Sequence, residues 1–269
     1  CYFAGPKEDE VSARFRALST VFRPVFGADA KSVAESIRAD RVDILFDMTG
    51  HTGGARLDVF AKRPAPLQIT YLGYPNTTGL SRMDHRLIDA VSDPRTPGAE
   101  YDARCTERLL RMPEGKCVWC YRPPPDEIAG PISPLPCMVR DANPGGGFTF
   151  ASFNNNSKIT AQVIKAWAGI LRAVPGSRLL LKNKWLHDPG TAERRLREFE
   201  SHHIDRERIL IAPYTPSTSA HLAVYARADL QLDTFPYNGT TTTCESLWQG
   251  VPVVTFEGTV HAARVGSSL

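Results

Sequence analysis

The 269-residue chain predicts two Rossmann-like α/β lobes, the first truncated at its N-terminus, joined by a proline-rich linker. Three observations predict this. Short apolar runs alternate with stretches of helical period. The runs in the second half show no polar–apolar alternation, as strands covered on both faces of a parallel sheet require. Between the halves, Pro123, Pro124, Pro125, Pro131, Pro134, Pro136, Pro144 and Gly145 to Gly147 interrupt regular structure. The expected boundaries are 1–112 for the C-terminal part of the first lobe, 113–147 for the linker and 148–269 for the second lobe.

In the first lobe, Cys1 to Ala4 has the character of a buried strand end. Residues 28–50 carry a helix with the stripe Ala34, Ile37 and Val42, then the apolar run 43–49, closed by Gly50-His51-Thr52-Gly53-Gly54. A short helix over 57–62 is stopped by Pro64 and Pro66. A strand over 68–72 runs into Gly73-Tyr74-Pro75, and a further strand is expected over 85–90. This αβαβ order favours a parallel sheet.

The second lobe alternates regularly. Strands are expected over 148–153, 178–182, 208–212, 230–233 and 252–256. Helices are expected from the cap Thr160 with Val163, Ile164, Trp167, Ile170 and Leu171 on one face, then over 191–203, 219–226, 242–249 and from 260 onward. Both chain ends look cut, the first at Cys1 and the last inside a helix.

Composition excludes several classes. The 32 basic and 29 acidic residues are scattered, which gives no electrostatic reason for nucleic acid or membrane as partner. No apolar run approaches the roughly 18 residues of a membrane helix. Cys117 and Cys120 form a lone C-x-x-C without the second ligand pair of a zinc site or the βαβ setting of a redox pair. A chain of this size does not need disulfides, so a cytoplasmic setting is expected. The Walker-A and Gly-x-Gly-x-x-Gly patterns are absent, as is an Asp-x-Asp motif.

Ligands of open parallel sheets bind beyond the carboxyl ends of the strands. The segment Asn238-Gly239-Thr240-Thr241-Thr242-Thr243 leads from such an end into a helix. A glycine there lets the backbone approach a ligand. The first-turn N–H groups lack intrahelical partners and favour phosphate. Glu245, one turn on, suits ribose hydroxyls; the alternative is that the threonines only cap the helix. Lys158, at another strand end, is placed to neutralise a leaving diphosphate, or is a surface lysine. Asn154 to Asn156 are ligand contacts or turn residues. His51 is a donor to sugar, acceptor or phosphate, or a packed residue.

Several segments together resemble the protein O-linked N-acetylglucosamine transferase and SPINDLY-like family. They are Asp47-Met-Thr-Gly-His-Thr-Gly-Gly-Ala-Arg56, Arg63-Pro-Ala-Pro-Leu-Gln68, Leu72-Gly-Tyr-Pro75, Met83-Asp84, Phe153-Asn-Asn-Asn-Ser-Lys-Ile159, Asp233 through Thr243, Leu247 through Thr255, and Ala263-Arg264-Val265. The resemblance implies a glycosyltransferase-B fold. It also implies inverting, metal-independent transfer of N-acetylglucosamine from UDP-GlcNAc to Ser or Thr of a protein or peptide acceptor, with no cofactor.

By the same resemblance, Lys158 supports the diphosphate and Asn155 stands where animal members have a glutamine contacting it. Thr215 falls in the uracil-facing loop, Thr241 and Thr242 match the diphosphate-binding helix start, Glu245 contacts ribose, and His221 lies near the nucleotide. Thr240 replaces a histidine of animal members and Ser217 a lysine. The family's first-lobe active-site histidine and its helical repeats are expected upstream of Cys1, and a closing helix after Leu269, so this stretch alone is not expected to turn over. Two other readings stay open: a glycosyltransferase of the same fold with another donor or acceptor, and a nucleotide-binding module without catalysis.

Overall fold

A computed structural model describes residues 1–95, 101–125, 130–139 and 147–269. The chain divides into two units, Cys1–Val118 and Trp119–Leu269. The division falls within 113–147; Pro144, Gly145 and Gly146 of the expected linker lie outside the described residues.

In the first unit, β1 (Tyr2–Phe3) pairs in parallel with β2 (Arg23–Pro24). Helix α1 (Glu10–Leu18) stands between them, its start fixed by a reciprocal Asp9–Ser12 capping box. Helix α2 (Ala30–Ala39) begins at Asp29, whose carboxylate accepts from the N–H groups of Lys31 and Ser32. It buries Val33, Ala34 and Ile37 against Leu45, Val59, Phe60 and Met83. Then follow β3 (Ile44–Asp47), α3 (Leu57–Phe60), β4 (Leu67–Tyr71), β5 (His85–Ile88) and β6 (Arg108–Arg111). These four strands form a parallel sheet in chain order, β3-β4-β5-β6.

The helix–strand–helix–strand order read from the sequence is the one found, with the further strand at β5; beyond β4, among the described residues, no α-helix separates β4, β5 and β6. The run 43–49 is covered on one face only: Leu45 and Asp47 are buried, whereas Ile44 and Phe46 remain 49% and 48% exposed.

The second unit holds β7 (Thr149–Ser152), α4 (Ala161–Ala173), β8 (Arg178–Leu181), α5 (Pro189–Glu200), β9 (Ile209–Ile211), α6 (Thr218–Leu222), β10 (Leu230–Leu232), α7 (Thr241–Trp248), β11 (Val253–Val254) and α8 (Val265–Ser268). The expected helix from 260 onward is a 3-10 turn over 261–263 followed by the single turn of α8. Thr160 caps α4 through Oγ1, which accepts from Val163 N–H at 3.3 Å. The stripe Val163, Ile164, Trp167, Ala168 and Leu171 packs on Phe150, Leu179, Leu181, Phe199 and Leu232. On the opposite sheet face, Ala151, Phe153 and Leu180 meet Leu222, Tyr225 and Val251. Both faces are therefore covered, which is why these strands read as unbroken apolar runs.

All neighbours in this sheet are parallel and the order is β11-β10-β7-β8-β9. The chain starts at the centre, adds β8 and β9 on one side, then returns to add β10 and β11 on the other. The direction reverses between β7 and β10, where doubly wound sheets open a crevice at their carboxyl edge.

Candidate donor-nucleotide site

The loops leaving β7 and β10 meet at that crevice. Asp233, just past β10, is 4% exposed and is the hub. Its Oδ1 accepts from the N–H groups of Thr234 (2.8 Å) and Gly239 (2.7 Å) and from Asn154 Nδ2 (3.0 Å). Its Oδ2 accepts from Thr255 Oγ1 at 2.9 Å. Burial raises the Asp233 carboxyl pKa, and these hydrogen bonds oppose the rise. Asn154 Oδ1 in turn accepts from Thr242 Oγ1 at 3.1 Å, so the first turn of α7 is tied to the end of β7.

Gly239 lies inside this weave. A side-chain carbon there would fall 2.7 Å from Thr242 Oγ1 and 2.8 Å from both Asn154 Oδ1 and Thr243 Oγ1. Thr240, the N-cap residue of α7, makes no side-chain capping hydrogen bond. The first turn of α7 therefore carries no side-chain cap from Thr240. Thr241 is exposed, Thr242 half-buried, and the buried Thr243 Oγ1 has no hydrogen-bond partner.

Lys158 ends a 3-10 turn, Asn156–Lys158, that follows β7. Its Nζ donates to the Asn238 carbonyl at 2.6 Å and sits 3.8 Å from the centre of the Tyr237 ring. Burial pushes its pKa down to about 8, with the Asp233 charge opposing. The ammonium thus stands at the loop that precedes the open helix start, where the sequence placed it.

Asn238 is held within its own loop. Its side chain is fully buried and used within the loop: Nδ2 donates to the Thr234 carbonyl at 2.9 Å, and Oδ1 accepts from Gly266 N–H at 3.2 Å. Only its carbonyl reaches Lys158. Asn155 is exposed and its Oδ1 accepts from Ser157 N–H at 3.1 Å.

His221 and Glu245 come together. His221 Nε2 lies 3.2 Å from Glu245 Oε2, and Tyr225 O–H donates to the same oxygen at 3.0 Å. Lys182 Nζ lies 2.6 Å from His221 Nδ1. Thr215 Oγ1 is buried without a partner, as is Asn183 Nδ2 beyond β8. Sequence reasoning missed Asp233, Lys182 and Tyr225 as members of the site.

His51 belongs to the first unit. Asp47 fixes its loop by accepting from Gly50 N–H (3.0 Å) and Thr70 Oγ1 (2.8 Å). Gly50 has a left-handed φ of 53°, and a side-chain carbon at Gly73 would fall 2.0 Å from the Met48 carbonyl oxygen. The loops after β3 and β4 are thereby locked together. His51 Nε2–H donates to the Thr78 carbonyl at 2.8 Å, and the ring packs edge-on to Tyr74. One ring nitrogen of His51 is thus held by the protein. Among the described residues no three His, Cys, Asp or Glu side chains are grouped to hold a metal ion, and Cys117 and Cys120 are exposed. No helix among them is long and apolar enough to cross a membrane.

The profile of glycosyl transferase family 41 matches residues 10–119 and 139–269. The chain belongs to this family. A family 41 relative, the probable UDP-N-acetylglucosamine–peptide N-acetylglucosaminyltransferase SPINDLY of Petunia hybrida, is 43% identical over the whole chain. The probable transferase SEC of Arabidopsis thaliana is 31% identical. The chain spans 28% and 27% of these relatives' lengths. The O-GlcNAc transferase of Thermobaculum terrenum, 40% identical, superposes over all of this chain and 48% of its own with a TM-score of 0.89. A trehalose-6-phosphate synthase structure from E. coli, 13% identical with a TM-score of 0.52 over 89% of this chain and 67% of its own, shares the fold alone. The glycosyltransferase-B architecture expected from the sequence is thus the one found.

Proposed function

We propose that the second unit is the donor half of an inverting protein N-acetylglucosaminyltransferase that takes UDP-GlcNAc and needs neither metal nor cofactor. The reading rests on the convergence of the Lys158 ammonium and the uncapped start of α7 at the switch point between β7 and β10. An acceptor Ser or Thr hydroxyl attacks the anomeric carbon and gives up its proton to water, the bond to the β-phosphate oxygen breaks, and negative charge grows on UDP. Lys158, the first-turn N–H groups and the hydroxyl of Thr241 face that charge, while Thr242 Oγ1, which donates to Asn154, ties the helix start to β7. Glu245 receives the ribose hydroxyls and Thr215 the base. The names of the similar proteins support donor and acceptor alike. The reading includes a cytoplasmic protein with acceptor-recruiting repeats in the longer polypeptide.

Calorimetric titration of the chain with UDP, beside GDP and a Lys158→Ala variant, tests it. Micromolar UDP binding, about −8 kcal/mol, selective over GDP and weakened by the substitution, is expected. A folded chain that ignores UDP sinks the proposal; a preference for GDP redirects it to another donor.

A further inference from the structure

Lys182, the residue after β8, is 6% exposed and, among the described residues, has no carboxylate bound to it directly. A lysine is rarely buried without a partner, and its usual partner is an acid. Here an imidazole is interposed: Lys182 Nζ to His221 Nδ1 at 2.6 Å, then His221 Nε2 to Glu245 Oε2 at 3.2 Å. This order has a direction. Burial lowers the Lys182 pKa and the Glu245 charge opposes the fall; as the ammonium, Lys182 has three donors and no acceptor, so Nδ1 accepts. The ring proton is then on Nε2 and points at Glu245. Tyr225, wholly buried, donates to the same Oε2 from the other side, and its O–H stays protonated because burial and the Glu245 charge raise its pKa. Phe153 stacks on Tyr225 at 3.8 Å and meets His221 edge-on, which fixes both rings. Glu245 Oε2 thus takes two hydrogen bonds, while Oε1 has no protein partner among the described residues.

We propose that Lys182 is a positioning residue of the donor site: by holding His221 Nδ1 as acceptor it turns Nε2–H onto Glu245 Oε2 and presents Glu245 Oε1 to the vicinal hydroxyls of a nucleotide ribose. The proposal rests on the donor-site reading above. It makes the ribose contact depend on a residue 63 positions upstream of Glu245.

Two measurements test it. The first is the long-range proton–nitrogen spectrum of the His221 ring in the unsubstituted chain, with His221→Gln for assignment. A ring protonated on Nε2 and bare on Nδ1 is expected; protonation on Nδ1 overturns the proposal, and no substitution at Lys182 is needed to see it. The second compares UDP with its 2′,3′-dideoxy analogue. Wild type is expected to prefer UDP about tenfold, and Lys182→Met to lose most of that preference while Lys182→Arg recovers it. A folded Lys182→Met chain that keeps the full preference overturns the proposal. A wild-type chain that binds UDP but ignores the ribose hydroxyls does so too. A wild-type chain that binds no UDP removes the donor-site reading and the ribose role with it, whereas the ring spectrum reports on the Lys182–His221 contact separately.

Discussion

At the scale of single residues, the Lys158 ammonium carries the most specific consequence. Its pKa of about 8 in the free chain means that the cation is present below that pH and is lost above it. The β-phosphate of UDP loses its last proton at about pH 6, so from about pH 7.5 upwards UDP no longer titrates, and its affinity is expected to weaken as pH rises through about 8, towards tenfold per unit. A Lys158→Met chain binds more weakly and with a flat profile. The Asp233 charge raises the Lys158 pKa, so Asp233→Asn, which can keep the loop hydrogen bonds, is expected to move the fall in affinity to lower pH. Calorimetry between pH 7.5 and 9 checks both; a wild-type profile without a break near 8 would separate Lys158 from the diphosphate. Lys158 was singled out because a cation at the end of an apolar strand suggests an anion; its approach to the threonine run about eighty positions on was not legible. Asp233 was not singled out: one acid after a strand carries no mark of burial, and its partners lie as far as 79 positions away. The Lys182–His221 pair, 39 positions apart, was hidden for the same reason.

At the scale of elements, the start of α7 depends on the absence of a side chain at Gly239. Three oxygens already stand where a methyl group would go, and two of them belong to β-branched threonines with little rotameric freedom. Gly239→Ala is therefore expected to push Thr242 off Asn154 and to cut UDP affinity by more than tenfold, with near-native circular dichroism. The core of α4 makes a contrasting prediction. Trp167 is 2% exposed within the apolar cluster over β7 and β8, so Trp167→Ala should cost about 3–5 kcal/mol in urea unfolding, before any effect on ligand. The stripe on α4 and the strands of the second unit were legible because periodicity reports burial. Helix α1 went unnoticed: its apolar residues Val11, Phe15 and Leu18 are 58%, 58% and 84% exposed, so burial does not explain them. Strand β6 is Arg-Leu-Leu-Arg, too short and too charged at its ends to stand out, with Leu109 alone buried.

At the scale of the whole molecule, what the sequence could not specify is strand order. Alternating strands and helices imply a parallel sheet, but the side on which each crossover lands depends on packing between distant segments. The return of β10 to the far side of β7 is what sets Asp233 beside Asn154, and so converts two unremarkable loops into one site. The site is then a property of sheet topology in the second unit, and ligand binding should stabilise that unit through the strands that build it. UDP at a hundred times its Kd is expected to add about 2.7 kcal/mol to the stability of Trp119–Leu269. Hydrogen exchange should slow most in the segments 152–158 and 239–245, which hang from the carboxyl ends of β7 and β10. Lys158→Met, at the same UDP concentration, should lose much of that protection in both segments at once, although they are separated in sequence, because one ligand bridges them. Slowing in only one of the two would mean that the diphosphate is held by one loop, and that the switch point brings the pair together for packing instead.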